Sequence, residues 1–369
     1  MKSLLFLLVI IILGVYFYSA SFFVTLLVIS FLIFFHELGH FLAAKSLKVK
    51  VEVFSIGFGK ALLEKEFKGT AYRLSALPLG GYVKLKGQDD LKPGKEVFEK
   101  DSYSVLKPLQ KIYILFAGPF FNLILAFLLY LAIAHLGVSK LAPTIGFIAQ
   151  NSAAQKAGLM VGDTIISVNN KEVFSFDELR KEIKNERLNL LVQRANERLN
   201  ISLMPEVAEG YNEFLQIVQK PLIGIAPSNE SKTFYYTGFN AFLYAYEESV
   251  EASMLIIKGL VKLIVGELDA KNLGGVITMV DFTSKASQHS LVSLFLITAL
   301  ISINLGILNL LPIPMLDGGH IVFNIYELIF RRKVPAKAFE YLSYGGLALL
   351  LSVMIFATYN DIVRLALKQ

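Results

Sequence analysis

The stretch Phe22-Phe-Val-Thr-Leu-Leu-Val-Ile-Ser-Phe-Leu-Ile-Phe-Phe-His36-Glu37-Leu-Gly-His40-Phe-Leu-Ala-Ala44 carries only three ionisable side chains, His36, Glu37 and His40. A helix of this length spans the roughly 30 Å hydrocarbon core of a bilayer at 1.5 Å per residue. Upstream, Leu4–Phe17 is also apolar but short. One helix from Leu4 to Ala44 would measure roughly 60 Å, twice that core, so a break is expected near Ser19-Ala20-Ser21. The first segment is then an extra span or a leader. Met1-Lys2 and Leu4–Ile12 have leader character, whereas Tyr18-Ser19-Ala20 is a poor cleavage site, and a retained span is the expectation.

Working outward, further apolar runs are Ile112–Leu136, Leu291–Leu311 and Ala338–Thr358. Between Ser249 and Leu268 apolar residues recur at helical spacing around Lys258 and Lys262, which suits a helix lying in the membrane interface. The composition agrees. Of 369 residues, 54% are hydrophobic and 18% charged, against 45–50% and about 25% in soluble domains. Mean hydropathy is +0.56. Zero cysteines exclude a disulfide scaffold, a thiol nucleophile and thiolate metal ligation.

The net charge of +6 is local. Residues 45–111 hold 14 Lys and Arg against 8 Asp and Glu, a surplus of six. Residues 112–311 hold 15 against 17, and 312–369 hold 6 against 4. A basic segment directly after a span marks a cytoplasmic loop. Residues 137–290 then lie outside and Arg331-Arg332-Lys333 inside, with Arg364 and Lys368 the exceptions. No stripe of interleaved arginines and aromatics accompanies the surplus, so no nucleic-acid partner is expected.

His36-Glu37-Leu38-Gly39-His40 has the form H-E-x-x-H. Four residues apart on a helix, the imidazoles share one face and can share a tetrahedral zinc, with Glu37 beside the metal as general base. Ionisable groups inside a membrane cost several kcal/mol unless paired or metal-bound, so their presence points to function. A buried His–Glu hydrogen bond is the plainer alternative. A third ligand is expected, and Asp317 suits it. It follows Asn309-Leu-Leu-Pro312-Ile-Pro314-Met-Leu, where the prolines end helical geometry, and such a break at membrane depth must line a protein cavity. Asp317 could instead cap the next helix. His320 is a rival ligand, whereas His135 and His289 read as interfacial.

These motifs resemble the bacterial site-2 proteases, intramembrane zinc metalloproteases of the regulator-of-sigma-E type. The likeness is carried by Phe35–Phe41, Gly57-Phe-Gly-Lys60, Leu77-Pro-Leu-Gly-Gly-Tyr-Val-Lys84, Ala117-Gly-Pro-Phe-Phe-Asn122, and Asn309-x-x-Pro312-x-x-x-x-Asp317-Gly318. The resemblance implies that His36, His40 and Asp317 bind zinc, that Glu37 activates water, and that Asn309 orients substrate or stabilises the oxyanion. It implies that Asn122 helps hold the substrate strand. It also implies that Leu77–Leu85, with Gly80, Gly81 and Tyr82, is a membrane-associated β-hairpin that holds unwound substrate by strand addition. Gly80-Gly81 itself reads as the hairpin turn. Ala154-x-x-Ala157-Gly-Leu159-x-x-Gly162-Asp163-x-Ile165-x-x-Val168-Asn169 resembles a PDZ domain.

The expected fold is therefore a polytopic α-helical membrane protein with an inserted PDZ domain and a membrane-associated β-hairpin. Its order is a hydrophobic segment (1–20), the H-E-x-x-H span (21–44), a cytoplasmic loop with the hairpin (45–111) and a span (112–136). A PDZ domain (144–205), linker strands with an interfacial helix (206–290), a span with the Leu-Asp-Gly motif (291–337) and a span with a tail (338–369) follow. Leu222–Pro227 reads as a strand returning to the membrane domain. The resemblance implies a multi-pass enzyme of the bacterial cytoplasmic (inner) membrane, with its PDZ domain on the extracytoplasmic side. Its substrates would be single-span membrane proteins, such as anti-sigma factors, or remnant signal peptides, and its surroundings membrane lipid. Many relatives of that type carry two PDZ domains, and this chain has room for one. Two other readings use the same residues: a membrane-anchored zincin with a cytosolic site, and an inert scaffold presenting a PDZ domain.

Overall fold

In the computed structural model, which describes residues 23–77, 80–88 and 97–366, the chain forms two units. The first comprises Met1–Ile133 and Phe239–Gln369, and the second Ala134–Gly238. The segment 1–20 and the break expected near Ser19-Ala20-Ser21 lie outside the described residues.

The first unit opens with helix α1 (Lys2–Ser46), whose described part from Phe23 onward is apolar enough to cross a membrane. It stops where Lys48 turns left-handed at φ 61° and the Ser46 hydroxyl donates to the Ala43 carbonyl at 2.7 Å. Strands β1 (Val51–Phe67) and β2 (Thr70–Leu85) form an antiparallel pair. Their connection is Lys68-Gly69, both with positive φ, the two-residue turn that matches strand twist. Both strands curl, so Val51–Ile56 lie beside Gly81–Leu85 on one side and beside Ala71–Leu74 on the other. The expected turn at Gly80-Gly81 is thus corrected. Both glycines sit within β2, Gly81 paired with Ile56. At Gly81 nothing larger fits, because a Cβ there would lie 2.8 Å from the Ser55 carbonyl oxygen. A Cβ on Gly80 would lie 1.8 Å from the Phe58 ring, which would have to move aside.

Helix α2 (Pro108–Leu136) begins with proline at its first position, where the missing N–H costs nothing, and the Gln110 side chain accepts from the Lys107 N–H.

The second unit starts with β3 (Val138–Leu141) and β4 (Ile145–Ile148), then α3 (Ala153–Lys156). Next come β5 (Thr164–Val168), β6 (Lys171–Glu172), α4 (Phe176–Glu182), β7 (Leu188–Arg194) and β8 (Glu197–Leu203). It ends with β9 (Glu206–Tyr211), β10 (Ile217–Leu222), β11 (Ile225–Pro227) and β12 (Ser231–Phe234). One sheet has the order β6-β5-β7-β8, while β9–β10, β4–β11 and β3–β12 are separate pairs. Ser152 and Ser175 cap α3 and α4 by accepting backbone N–H bonds. Leu179, Leu188, Leu190, Val192 and Ile223 fill its core. The unit is wider than the expected 144–205, because β11 pairs with β4 and β12 with β3. The strand expected at Leu222–Pro227 therefore joins this unit and not the membrane unit.

The first unit resumes with α5 (Gly238–Ile264), longer than the interfacial helix expected and amphipathic, and α6 (Val276–His289), which the apolar pattern did not announce. Then come α7 (Leu291–Asn309), α8 (Asp317–Phe330) and α9 (Ala336–Leu367). Among the described residues, four stretches are long and apolar enough to cross a membrane: Phe23–Ser46, Pro108–Leu136, Leu291–Asn309 and Ala336–Ala366. Asp361 of α9 accepts from the Gly275 and Thr278 backbone N–H groups, so α9 caps an α6 terminus that has no side-chain cap of its own.

Candidate metal centre

Helical spacing puts His36 and His40 on one face of α1, with their rings 4.8 Å apart. Asp317 reaches them from the first turn of α8. Pro312 and Pro314 end α7, and Met315 takes a positive φ of 80°. The reversal is tight, since a Cβ on Gly318 would lie 2.3 Å from the Leu310 and Leu311 carbonyl oxygens, and one on Gly319 2.3 Å from that of Ile313. The residue capping α8 is Leu316, which makes no side-chain bond, so Asp317 is not the cap. Its carboxylate turns to the histidines, 3.2 Å from His36 Nε2 and 3.5 Å from His40 Nε2.

Could these three hold a metal? Their donor atoms all lie within 4.8 Å of one another, and the two Nε2 atoms are 3.1 Å apart. A tetrahedral ion with bonds of 2.0–2.1 Å has edges of roughly 3.3 Å. The 3.1 Å between the two Nε2 atoms, the 3.2 Å from His36 Nε2 to Asp317 Oδ2 and the 3.5 Å from His40 Nε2 to Asp317 Oδ1 all lie near that value. His40 Nδ1 lies 2.8 Å from the Ile114 carbonyl, an acceptor only, so this nitrogen carries the proton and Nε2 offers a lone pair. The residues fit a metal with one coordination position left open.

Glu37 lies on the same helix, and its carboxylate accepts from the Val83 backbone N–H of β2. The hairpin therefore meets the site through a backbone donor that sequence motifs do not reveal. Gly81 lies alongside: a Cβ there would sit 3.3 Å from Glu37 Cγ. The Gly80 position faces the Phe58 ring, and the Tyr82 ring stacks on Phe58 at 6.2 Å. Asn309, the last residue of α7, brings its Nδ2 to 3.5 Å from His36 Nε2.

Two sequence expectations change. His320 sits apart from the metal group, its ring against Phe323 and Phe339. Asn122, expected to hold substrate, is 0% exposed, and its amide lies 3.3 Å from His36 Nδ1. A fully buried side chain presents no face to a substrate strand.

Gly39 and Gly118 lie where α1 and α2 meet beside the site, a placement that the motifs alone passed over. A Cβ on Gly118 would lie 2.3 Å from His40 Nε2, and one on Gly39 would lie 2.3 Å from the Ala117 carbonyl oxygen. Their only signal was a small residue at one position inside each quoted motif.

Comparison with known proteins agrees with this geometry. The family model described as Peptidase family M50 matches residues 24–353. Two relatives bear the name "Putative zinc metalloprotease". That of Campylobacter jejuni is 65% identical and aligns over 99% of both chains. That of Helicobacter pylori is 41% identical over 93% of this chain and 99% of its own. A Clostridium acetobutylicum protein with a name of the same form is 33% identical over 92% of this chain and 96% of its own.

Proposed function

The chain belongs to peptidase family M50, and on that premise we propose that it is a zinc-dependent intramembrane endopeptidase. It hydrolyses peptide bonds in transmembrane segments of single-span membrane proteins, such as anti-sigma factors or remnant signal peptides, in regulated intramembrane proteolysis or peptide clearance. The bacterial cytoplasmic (inner) membrane is its location. One observation carries the reading: His36, His40 and Asp317 converge beside Glu37 on a helix apolar enough to span a membrane.

His36 and His40 would hold zinc through Nε2, and Asp317 through its carboxylate. Zinc, when bound, lowers the pKa of its water to near neutrality and polarises the carbonyl it faces. Glu37 takes a proton from the attacking water and returns it to the leaving amide nitrogen. The Val83 N–H holds the Glu37 carboxylate in place for both transfers. Asn309 Nδ2 donates to the oxyanion as it forms. A peptide bond inside a helix is shielded by its own hydrogen bonds, so the substrate must unwind. The Gly81–Leu85 segment of β2 takes it up as an added strand, using main-chain hydrogen bonds.

The second unit, with capped helices around a small antiparallel sheet, acts as a PDZ-type domain on the extracytoplasmic side. The side follows from the basic 45–111 segment, which the positive-inside rule assigns to the cytoplasm.

The test uses the purified full chain and a single-span model substrate. Glu37→Gln is expected to keep equimolar zinc by metal analysis while cleavage falls about 100-fold or more, the usual weight of a general base. Wild-type-rate cleavage by this variant, or a wild-type protein free of zinc, overturns the proposal. In cells, membrane fragments that accumulate with Glu37→Gln name the substrates.

A further inference from the structure

Asn122 is fully buried in α2, and its Oδ1 has no hydrogen-bond partner among the described residues. Buried polar atoms without partners are rare and cost about 1–3 kcal/mol each. Its backbone carbonyl is used, accepting from the Ser302 hydroxyl at 2.7 Å, so α7 fixes this turn of α2. The side-chain amide meets His36 Nδ1 at 3.3 Å. The other nitrogen of that ring, Nε2, faces Asp317 and His40.

A neutral imidazole has one proton. If Asn122 Nδ2 donates to His36 Nδ1, the proton sits on Nε2, which then has no lone pair for a metal. An amide is nearly symmetric in shape, and a half-turn about its last bond exchanges oxygen for nitrogen. Oδ1 then accepts from Nδ1–H at the same separation. The exchange leaves an amide N–H, not a carbonyl oxygen, without a partner, so the number of unpaired groups stays the same. What decides between the two orientations is the lone pair on Nε2. His40 is already arranged this way, its Nδ1 at 2.8 Å from the Ile114 carbonyl of the same helix.

We propose that Asn122 is a positioning residue for the metal, its Oδ1 accepting from His36 Nδ1–H so that Nε2 presents its lone pair. Helix α2 thereby orients both histidines, one through a main-chain carbonyl and one through a side-chain amide. The proposal rests on the zinc reading above and deepens it. It gives Asn122 a role in metal affinity and none in substrate contact.

The experiment measures zinc affinity of the full chain in detergent by competition with a chromophoric chelator, alongside KM for a model substrate. Asn122→Leu and Asn122→Ala remove the acceptor, the first keeping bulk and the second leaving space. Each is expected to weaken zinc binding 10–100-fold, the usual effect of losing a ligand's hydrogen-bond partner. Asn122→Asp keeps an acceptor oxygen and is expected to hold zinc within about threefold of wild type. The proposal is overturned if the Leu or Ala variant binds zinc as wild type does, and a rise in KM alongside would be the signature of a substrate contact. It is equally overturned if Asn122→Asp loses as much zinc affinity as Asn122→Leu. If Asn122→Leu does not fold, Asn122→Ala and Asn122→Asp decide the matter. A wild-type chain that binds no zinc fails the functional reading itself, an outcome distinct from either of these.

Discussion

Gly118 decides whether two helices can share one metal. Helix α2 passes so close to α1 that a Cβ at Gly118 would lie 2.3 Å from His40 Nε2 and 2.9 Å from His36 Cε1. Small residues permit such approach between membrane helices, where no hydrophobic drive exists to force it. The obstruction would fall on two metal-facing rings that can yield only by leaving the tetrahedral arrangement. Gly118→Ala is therefore expected to weaken zinc binding tenfold or more and to reduce cleavage in step. Gly345→Ala is the control: nothing among the described residues lies within 4 Å of a Cβ there, and alanine in a helix gains about 0.5–1 kcal/mol over glycine. Zinc competition and cleavage on both variants check the prediction. Equal zinc affinity in Gly118→Ala and wild type would show that the helices have room to part.

At the scale of elements, β2 and α1 form one working piece, joined by the Val83 N–H and the Glu37 carboxylate. Val83→Pro deletes that donor, whereas Val83→Ala keeps it. The proline variant is expected to retain zinc and lose cleavage about tenfold or more, and the alanine variant to stay near wild type in both. Loss of zinc from the proline variant would instead mean that the strand holds the metal ligands themselves. This pairing also marks where sequence reading stops. His36, Glu37 and His40 could be read because a four-residue repeat on a helix is local chemistry. Asp317 could be read because two prolines must end a helix wherever they occur. Gly80-Gly81 was misread as a turn because its sequence is as turn-like as Lys68-Gly69. What separates the two pairs is the Phe58 ring and the Glu37 side chain, distant in the chain and adjacent in space. Asn122 was assigned to substrate for the same reason: its partner, His36, lies on another helix. Helix α6 was missed because its polar residues hide its apolar ones, and its terminus is capped by Asp361 from α9.

At the scale of the whole molecule, a membrane unit and a water-soluble type of core are encoded in one chain, and they depend on different forces. The net charge of +6 is confined to one segment, since residues 45–111 account for all of it. The second unit rests on a buried charge. Asp163 is 1% exposed and is bonded by Arg194 Nε and Nη2, each at 2.7 Å, and by the Met160 N–H at 2.8 Å. Burial alone would raise its carboxyl pKa, but the Arg194 hydrogen bonds, the Met160 N–H and the Arg194 charge outweigh it and hold the group below the ordinary carboxylate range. A carboxyl depressed in the folded state stabilises above its unfolded pKa, near 3.9, and this contribution fades as pH falls through the folded value. Hydrogen exchange at the β5 amides of the full chain is therefore expected to stay slow, after correction for intrinsic rates, down to about pH 4 and to weaken below it. Asp163→Asn removes the charge, so β5 protection is expected to drop at pH 7 by roughly 1.5–3 kcal/mol, the worth of a hydrogen bond to a charged group. The gap between variant and wild type should narrow as the pH falls below 4, because protonation then takes from the wild type what the substitution has already removed. A gap that is absent at pH 7, or one that widens in acid, would mean that Arg194 and Asp163 contribute no net stability to this unit.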